Sequence, residues 1–137
     1  MIKLAVSGAG GRMGQRLLAL SDKDREFELV QAIERADFPL MGKRLNTGAS
    51  LAPRAENVVW SAGLAPGADI LMDFSAPESV ARNAGLAKDF GVALIVGTTG
   101  HDAKQTDAIR EAAKVVPVMH APNFSLGVNL MLKLAGE

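Results

Sequence analysis

The stretch Ile2-Lys3-Leu4-Ala5-Val6-Ser7-Gly8-Ala9-Gly10-Gly11-Arg12-Met13-Gly14 decides how the rest of the chain is read. A largely apolar run ends in a glycine cluster, and a segment of helical length, Arg12–Leu20, follows at once. The strict spacing Gly-x-Gly-x-x-Gly fails, because Met13 stands where its third glycine belongs. The glycines fall instead at 8, 11 and 14, with Gly10 in addition. The physics of a phosphate-holding turn survives that change. Glycines let backbone N–H groups approach a pyrophosphate, and a helix N-terminus sets partial positive charge against it. Arg12 adds a cation beside that position. Gly14 would cost its helix about 1 kcal/mol relative to Ala, so it points to close helix–sheet packing. Without a ligand, the same residues are a tight turn that needs positive φ.

Outward from this turn, Phe27–Ile33 and Ala93–Val96 (with Val92 before it) read as buried strands, and Asp69–Phe74 and Val115–His120 as weaker ones. Glu78–Phe90 and Ala103–Lys114 have helical length between them. Strand, helix, strand at this spacing predicts βαβ crossovers and a parallel sheet covered on both faces. Ser75 with Glu78 predicts a capping box, Pro77 suits a first helical turn, and Asp102 with Gln105 repeats the box. Gly91 and Gly100 suit helix ends or turns, and Pro117 places the last strand at an edge or delays its start. Ala36–Asn57 keeps no period and is long for a connection, which predicts a functional or mobile loop with a short strand, Val58–Trp60, after it.

The 137 residues suit one domain that buries roughly two thirds of its unfolded surface. Fifteen Lys and Arg balance fifteen Asp and Glu, which disfavours a nucleic-acid or membrane-surface binder driven by charge. The absence of Cys excludes thiol nucleophiles, disulfides and thiolate metal sites. No apolar stretch approaches the ~18 residues of a membrane span, and the first apolar run is short for a signal peptide. A cytoplasmic protein is therefore expected.

Glu34 follows the second strand, 20 residues after Gly14, where an acidic side chain can accept from adenosine ribose hydroxyls. Arg35 beside it can pair with a 2′-phosphate. Glu favours NADH and Arg favours NADPH, so the pair suggests tolerance of both. Gly97-Thr98-Thr99-Gly100 and Ala121-Pro122-Asn123-Phe124-Ser125 follow strands whose carboxyl ends face the same crevice, and could hold a nicotinamide or its ribose. Each is equally a turn with a helix cap. The catalytic inventory is thin. His101 and His120 are the only imidazoles, Asp69 and Asp73 share one strand face, and no metal-ligand or Ser–His–Asp spacing occurs.

Taken in order, Gly8–Gly14, Glu34-Arg35, Asp73-Phe74-Ser75-x-Pro77-Glu78, Val96–Gly100 and Ala121–Asn129 closely resemble the N-terminal domain of the dihydrodipicolinate reductases, also named 4-hydroxy-tetrahydrodipicolinate reductases. The resemblance covers essentially the whole chain, and the Val-Gly-Thr-Thr-Gly and Ala-Pro-Asn-Phe-Ser segments make it specific. It implies an α/β fold, a Rossmann-like doubly wound parallel sheet, cut before a second, α+β catalytic domain. It implies NAD(P)H-dependent reduction of a cyclic dicarboxylate on the way to diaminopimelate and lysine. By it, Gly8, Ala9, Gly10, Gly11, Arg12 and Met13 hold the pyrophosphate, Glu34 the adenosine ribose and Arg35 the 2′-phosphate of NADPH. Gly97, Thr98 and Thr99, with Ala121, Pro122, Asn123 and Phe124, line the nicotinamide half, and Phe74 packs nearby.

The family's catalytic His-His-x-x-Lys segment and Ser-Gly-Thr substrate loop are absent from these residues. Residues 1–127 are thus expected to form the dinucleotide domain and 128–137 to start a helix leading towards the catalytic one. The chain should bind cofactor and turn over little or no substrate. It should be a monomer or weak dimer, although the family forms homotetramers. A stand-alone nucleotide-binding or redox-sensing module is the alternative.

Overall fold

Along the first strand, Leu4 and Val6 point to one side and Ala5 to the other, and all three are buried. A strand buried on both faces has to lie inside a sheet with helices above and below. The computed structural model describes residues 1–45 and 53–136, and shows that arrangement. In chain order it contains β1 (Ile2–Ser7), α1 (Arg12–Lys23), β2 (Phe27–Ile33), a single 3-10 turn (Pro53–Ala55), β3 (Trp60–Ser61), β4 (Ile70–Asp73), α2 (Pro77–Phe90), β5 (Ala93–Val96), α3 (Ala103–Ala113), β6 (Val118–His120) and α4 (Leu126–Ala135). The strands form one sheet in the order β3-β2-β1-β4-β5-β6, every neighbouring pair parallel. The winding direction reverses between β1 and β4, which opens a crevice at their carboxyl ends.

The two faces carry separate cores. Leu4, Val6, Leu18, Leu29 and Trp60 pack on the α1 side. Ala5, Leu71, Val80, Leu94, Val96 and Ile109 pack beneath α2 and α3. The Rossmann-like doubly wound sheet is therefore present. α4 stands apart: none of its residues is buried, and Leu126 and Leu134 are 85% and 78% exposed. No helix among the described residues is long and apolar enough to cross a membrane.

Several local expectations shift. β6 begins only at Val118, because Pro117 has no N–H and contributes just its carbonyl, which accepts from Leu94. It is also the edge strand. β3 is Trp60–Ser61 rather than Val58–Trp60, since Val59 bridges antiparallel to Arg44 and the Val58 carbonyl accepts from Leu45. Residues 46–52 of the anticipated Ala36–Asn57 loop, and Glu137, lie outside the described residues.

The capping boxes divide. Asp102 and Gln105 form the reciprocal pair at the start of α3. The Ser75–Glu78 box does not form. Ala76 is the N-cap of α2, without a side-chain bond, while Ser75 turns its hydroxyl to Asp73 at 2.5 Å. A buried carboxyl outcompetes an exposed backbone donor for that hydroxyl.

Candidate functional site

The glycine turn closes on backbone. Gly8 has φ 74°, and a Cβ there would stand 2.5 Å from the Phe74 carbonyl oxygen. The N–H groups of Gly8 and Ala9 both donate to the Ile33 carbonyl, tying the turn to the end of β2. A methyl on Gly14 would overlap the Gly8 carbonyl and the Ala9 Cα, so α1 sits directly on the turn. The N-cap of α1 is Gly11, with no side-chain cap and no acidic residue in the first turn. α3, by contrast, is fully capped by protein groups. Orphan N–H donors and a helix dipole left without an internal anion are what a phosphate group satisfies.

The turn divides the crevice into two cavities, which share Gly11, Phe74 and Ser75. The first, about 330 Å³, is lined by Gly8, Glu34, Arg35, Ala36, Ala62 and Arg82 among others. One Glu34 oxygen accepts from Gly10 N–H and the other from Arg35 N–H, both at 3.0 Å. A carboxylate has about four acceptor sites, so two remain for hydroxyls. Arg35 is exposed and pairs with Asp37 at 3.3 Å, a contact of little energetic weight. Gly10 lies between Glu34 and the Phe38 ring and Ala9 is fully buried, so both support the turn from behind.

The second cavity, about 380 Å³, is lined by Arg12, Met13, Pro77, Gly97, Thr98 and Thr99 beside the shared residues. Gly97 is glycine because the Phe74 ring lies on it. The Thr98 hydroxyl faces inward and donates to the Asp73 carbonyl at 3.3 Å, whereas Thr99 is exposed to the cavity. Ala121, Pro122, Asn123 and Phe124 line neither cavity. They join the site through Phe124, whose ring centroid is 5.9 Å from that of Phe74, and through Ala121 N–H on the Val96 carbonyl. Asn123 spends its side-chain oxygen on Ser125 N–H.

Three further residues of the site, Ser7, Asn83 and Arg82, have no simple sequence signal. Asp73 is fully buried. Its Oδ1 accepts from the N–H and hydroxyl of Ser75, and its Oδ2 from Asn83 Nδ2 at 2.8 Å. Asn83 also reaches Ser7 Oγ at 3.0 Å, so the carboxyl links β1, the turn after β4 and α2. Asp69 lies before β4, at the opposite end of the sheet, and accepts from Lys3 N–H. The two carboxyls are no catalytic pair. Arg82, the third of these, lies on the second turn of α2.

His101 and His120 face each other with ring centroids 5.1 Å apart, and His101 Nε2 is buried without a partner among the described residues. Burial, and then the charge of His101, hold His120 below the ordinary imidazole range. The unfolded chain therefore takes up a proton near pH 6.5 that the folded chain still refuses, and stability falls with pH in that window. We expect the urea midpoint to decline from about pH 6.5 downward, and His120→Gln to flatten part of that decline. An unchanged slope in the variant would exclude the imidazole as its source.

A family described as dihydrodipicolinate reductase, N-terminus, matches residues 2–124. The 4-hydroxy-tetrahydrodipicolinate reductase of Anaeromyxobacter dehalogenans (strain 2CP-C) is 38% identical over 138 residues, covering all of this chain and 51% of the relative. That of Syntrophus aciditrophicus (strain SB) is 34% identical, covering 98% of this chain and 50% of the relative. A dipicolinate-bound dihydrodipicolinate reductase from Paenisporosarcina sp. TG-14 superposes with TM-score 0.73 at 26% identity, over 98% of this chain and 52% of that one. The chain thus spans about half the length of the curated relatives it matches.

Proposed function

The chain belongs to the family of dihydrodipicolinate reductase N-terminal domains, and from that premise we propose that it binds NADPH or NADH across the crevice between β1 and β4. The observation that carries the reading is the fit of the turn to a pyrophosphate. Side chains at Gly8, Gly10 and Gly14 would fill or distort the cradle, and the N-terminus of α1 lacks an internal anion. Gly8–Met13 take the pyrophosphate, Glu34 the adenosine ribose and Arg35 a 2′-phosphate. Phe74, Gly97–Thr99 and Ala121–Phe124 form the wall for the nicotinamide.

When bound, the dinucleotide supplies a hydride. The protein's part is to orient the ring and keep one face open to a substrate. In the whole reductase that substrate is the cyclic dicarboxylate precursor of tetrahydrodipicolinate, on the diaminopimelate and lysine route. We assign residues 1–127 to the dinucleotide domain, and residues 128–137 to the start of a helix towards the catalytic one.

Calorimetric titration of the chain with each dinucleotide tests this. Both should bind, and Arg35→Ala should weaken NADPH about tenfold, the scale of one charge-assisted hydrogen bond, while NADH changes little. A folded chain that binds neither would refute the reading. Equal weakening of both would remove Arg35 from the 2′-phosphate.

A further inference from the structure

Arg82 is the cation of the adenosine-side cavity that no carboxylate pairs with among the described residues. The buried face of α2 carries Val80, Asn83, Ala84 and Ala87, which leaves Arg82 beside that face and exposed. Its guanidinium reaches the chain at Gly63, just after β3, by its Nη2 end: a Cβ on Gly63 would stand 2.5 Å from Nη2 and 3.9 Å from Nε. Ala36 and Ala62 line the same cavity with nothing larger than a methyl. The outcome is a low-walled slot with a planar, unpaired cation on one side. Glu34 turns its oxygens to the Gly10 and Arg35 N–H groups and Asp37 pairs with Arg35, so among the described residues no carboxylate lies within ion-pair distance of Arg82.

A guanidinium is planar and weakly hydrated and stacks face to face on aromatic rings, which a compact, strongly hydrated ammonium has no plane to do. We propose that Arg82 is a cofactor-binding residue whose guanidinium plane stacks on the adenine, serving NADH and NADPH alike, in a role distinct from the 2′-phosphate contact given to Arg35. The inference rests on the dinucleotide reading above.

The test titrates the wild-type chain, Arg82→Ala and Arg82→Lys with NADH, NADPH, ADP-ribose and 5′-AMP, with thermal unfolding to confirm the fold of each. Arg82→Ala should weaken all four by a similar factor, about fivefold to twentyfold, the range of a partly desolvated cation–π contact. Arg82→Lys should lose most of that as well, since it keeps the charge and loses the plane. A loss confined to NADPH and restored by Lys would overturn the proposal and place Arg82 on a phosphate. Intact wild-type binding that Arg82→Ala leaves unchanged would overturn it too, without touching the dinucleotide reading. A folded wild-type chain that binds none of the four would refute both.

Discussion

Gly14→Ala is expected to destabilise the protein by about 2–3 kcal/mol, the upper range for overpacking, and to abolish measurable dinucleotide binding. The sign is opposite to what helix propensity alone gives. In an open helix this substitution gains about 1 kcal/mol. Here the new methyl would meet the Gly8 carbonyl and the Ala9 Cα and carbonyl carbon, all backbone atoms that cannot rotate away. Either α1 lifts from the turn or the turn opens towards Phe74, and the N–H groups at the helix start move with it. Losing alignment of two charge-assisted bonds weakens an anion about 100-fold. Gly85→Ala supplies the control: it lies within α2 and its Cβ would meet nothing within 4 Å. It should stabilise by about 0.5–1 kcal/mol. Urea unfolding of both variants, with titration of the first, checks the pair. A stabilised Gly14→Ala would mean that α1 does not rest on the turn.

What the residues disclosed in advance follows from range. β1, β2 and β5 match the expected spans because each is a local apolar run, and their parallel order follows from the helices between them. The glycine turn is legible because backbone constraints are written in single residues. Caps lie at the limit. Ser75-x-x-Glu78 and Asp102-x-x-Gln105 read alike, yet only the second forms, because a carboxyl two residues away claims the Ser75 hydroxyl. Asp73 is legible as a strand carboxylate, but its network is not: Asn83 is 10 positions away, and Asn83 in turn reaches Ser7, 66 positions from Asp73. The same holds for Arg82, whose placement depends on its contact with Gly63, 19 positions away. Ala121–Asn123 show range from the other side. Their strand position points to the crevice end of the sheet, and they reach the cavity walls through the Phe124–Phe74 contact and the Ala121 N–H on the Val96 carbonyl.

Asp73→Ala should cost the fold about 3–4 kcal/mol, because it takes a buried acceptor from three donors at once, one of them the buried Asn83 amide. At about 3 °C per kcal/mol for a domain of this size, the unfolding midpoint drops by roughly 10 °C. The orphaned groups are the Ser75 N–H and hydroxyl and the Asn83 amide, all held by the one carboxyl. Asp73→Asn tests whether hydrogen bonding is the cause. If the new amide nitrogen faces Asn83, the Asn83 side chain can flip to present its oxygen, and the Ser7 hydroxyl can turn to donate to that oxygen. Oδ1 then keeps both Ser75 bonds, and the expected loss is only about 1 kcal/mol. Combining Asp73→Asn with Asn83→Ala weakens both partners of one hydrogen bond, so the double variant should lose less than the sum of its parts. Dinucleotide affinity should follow the same ranking, since Ser75 borders both cavities and Phe74 carries the wall they share. Equal destabilisation by Asp73→Ala and Asp73→Asn would show that the network does not rearrange. Negligible loss in both would show that the carboxyl is not what joins β1, β4 and α2 at the crevice.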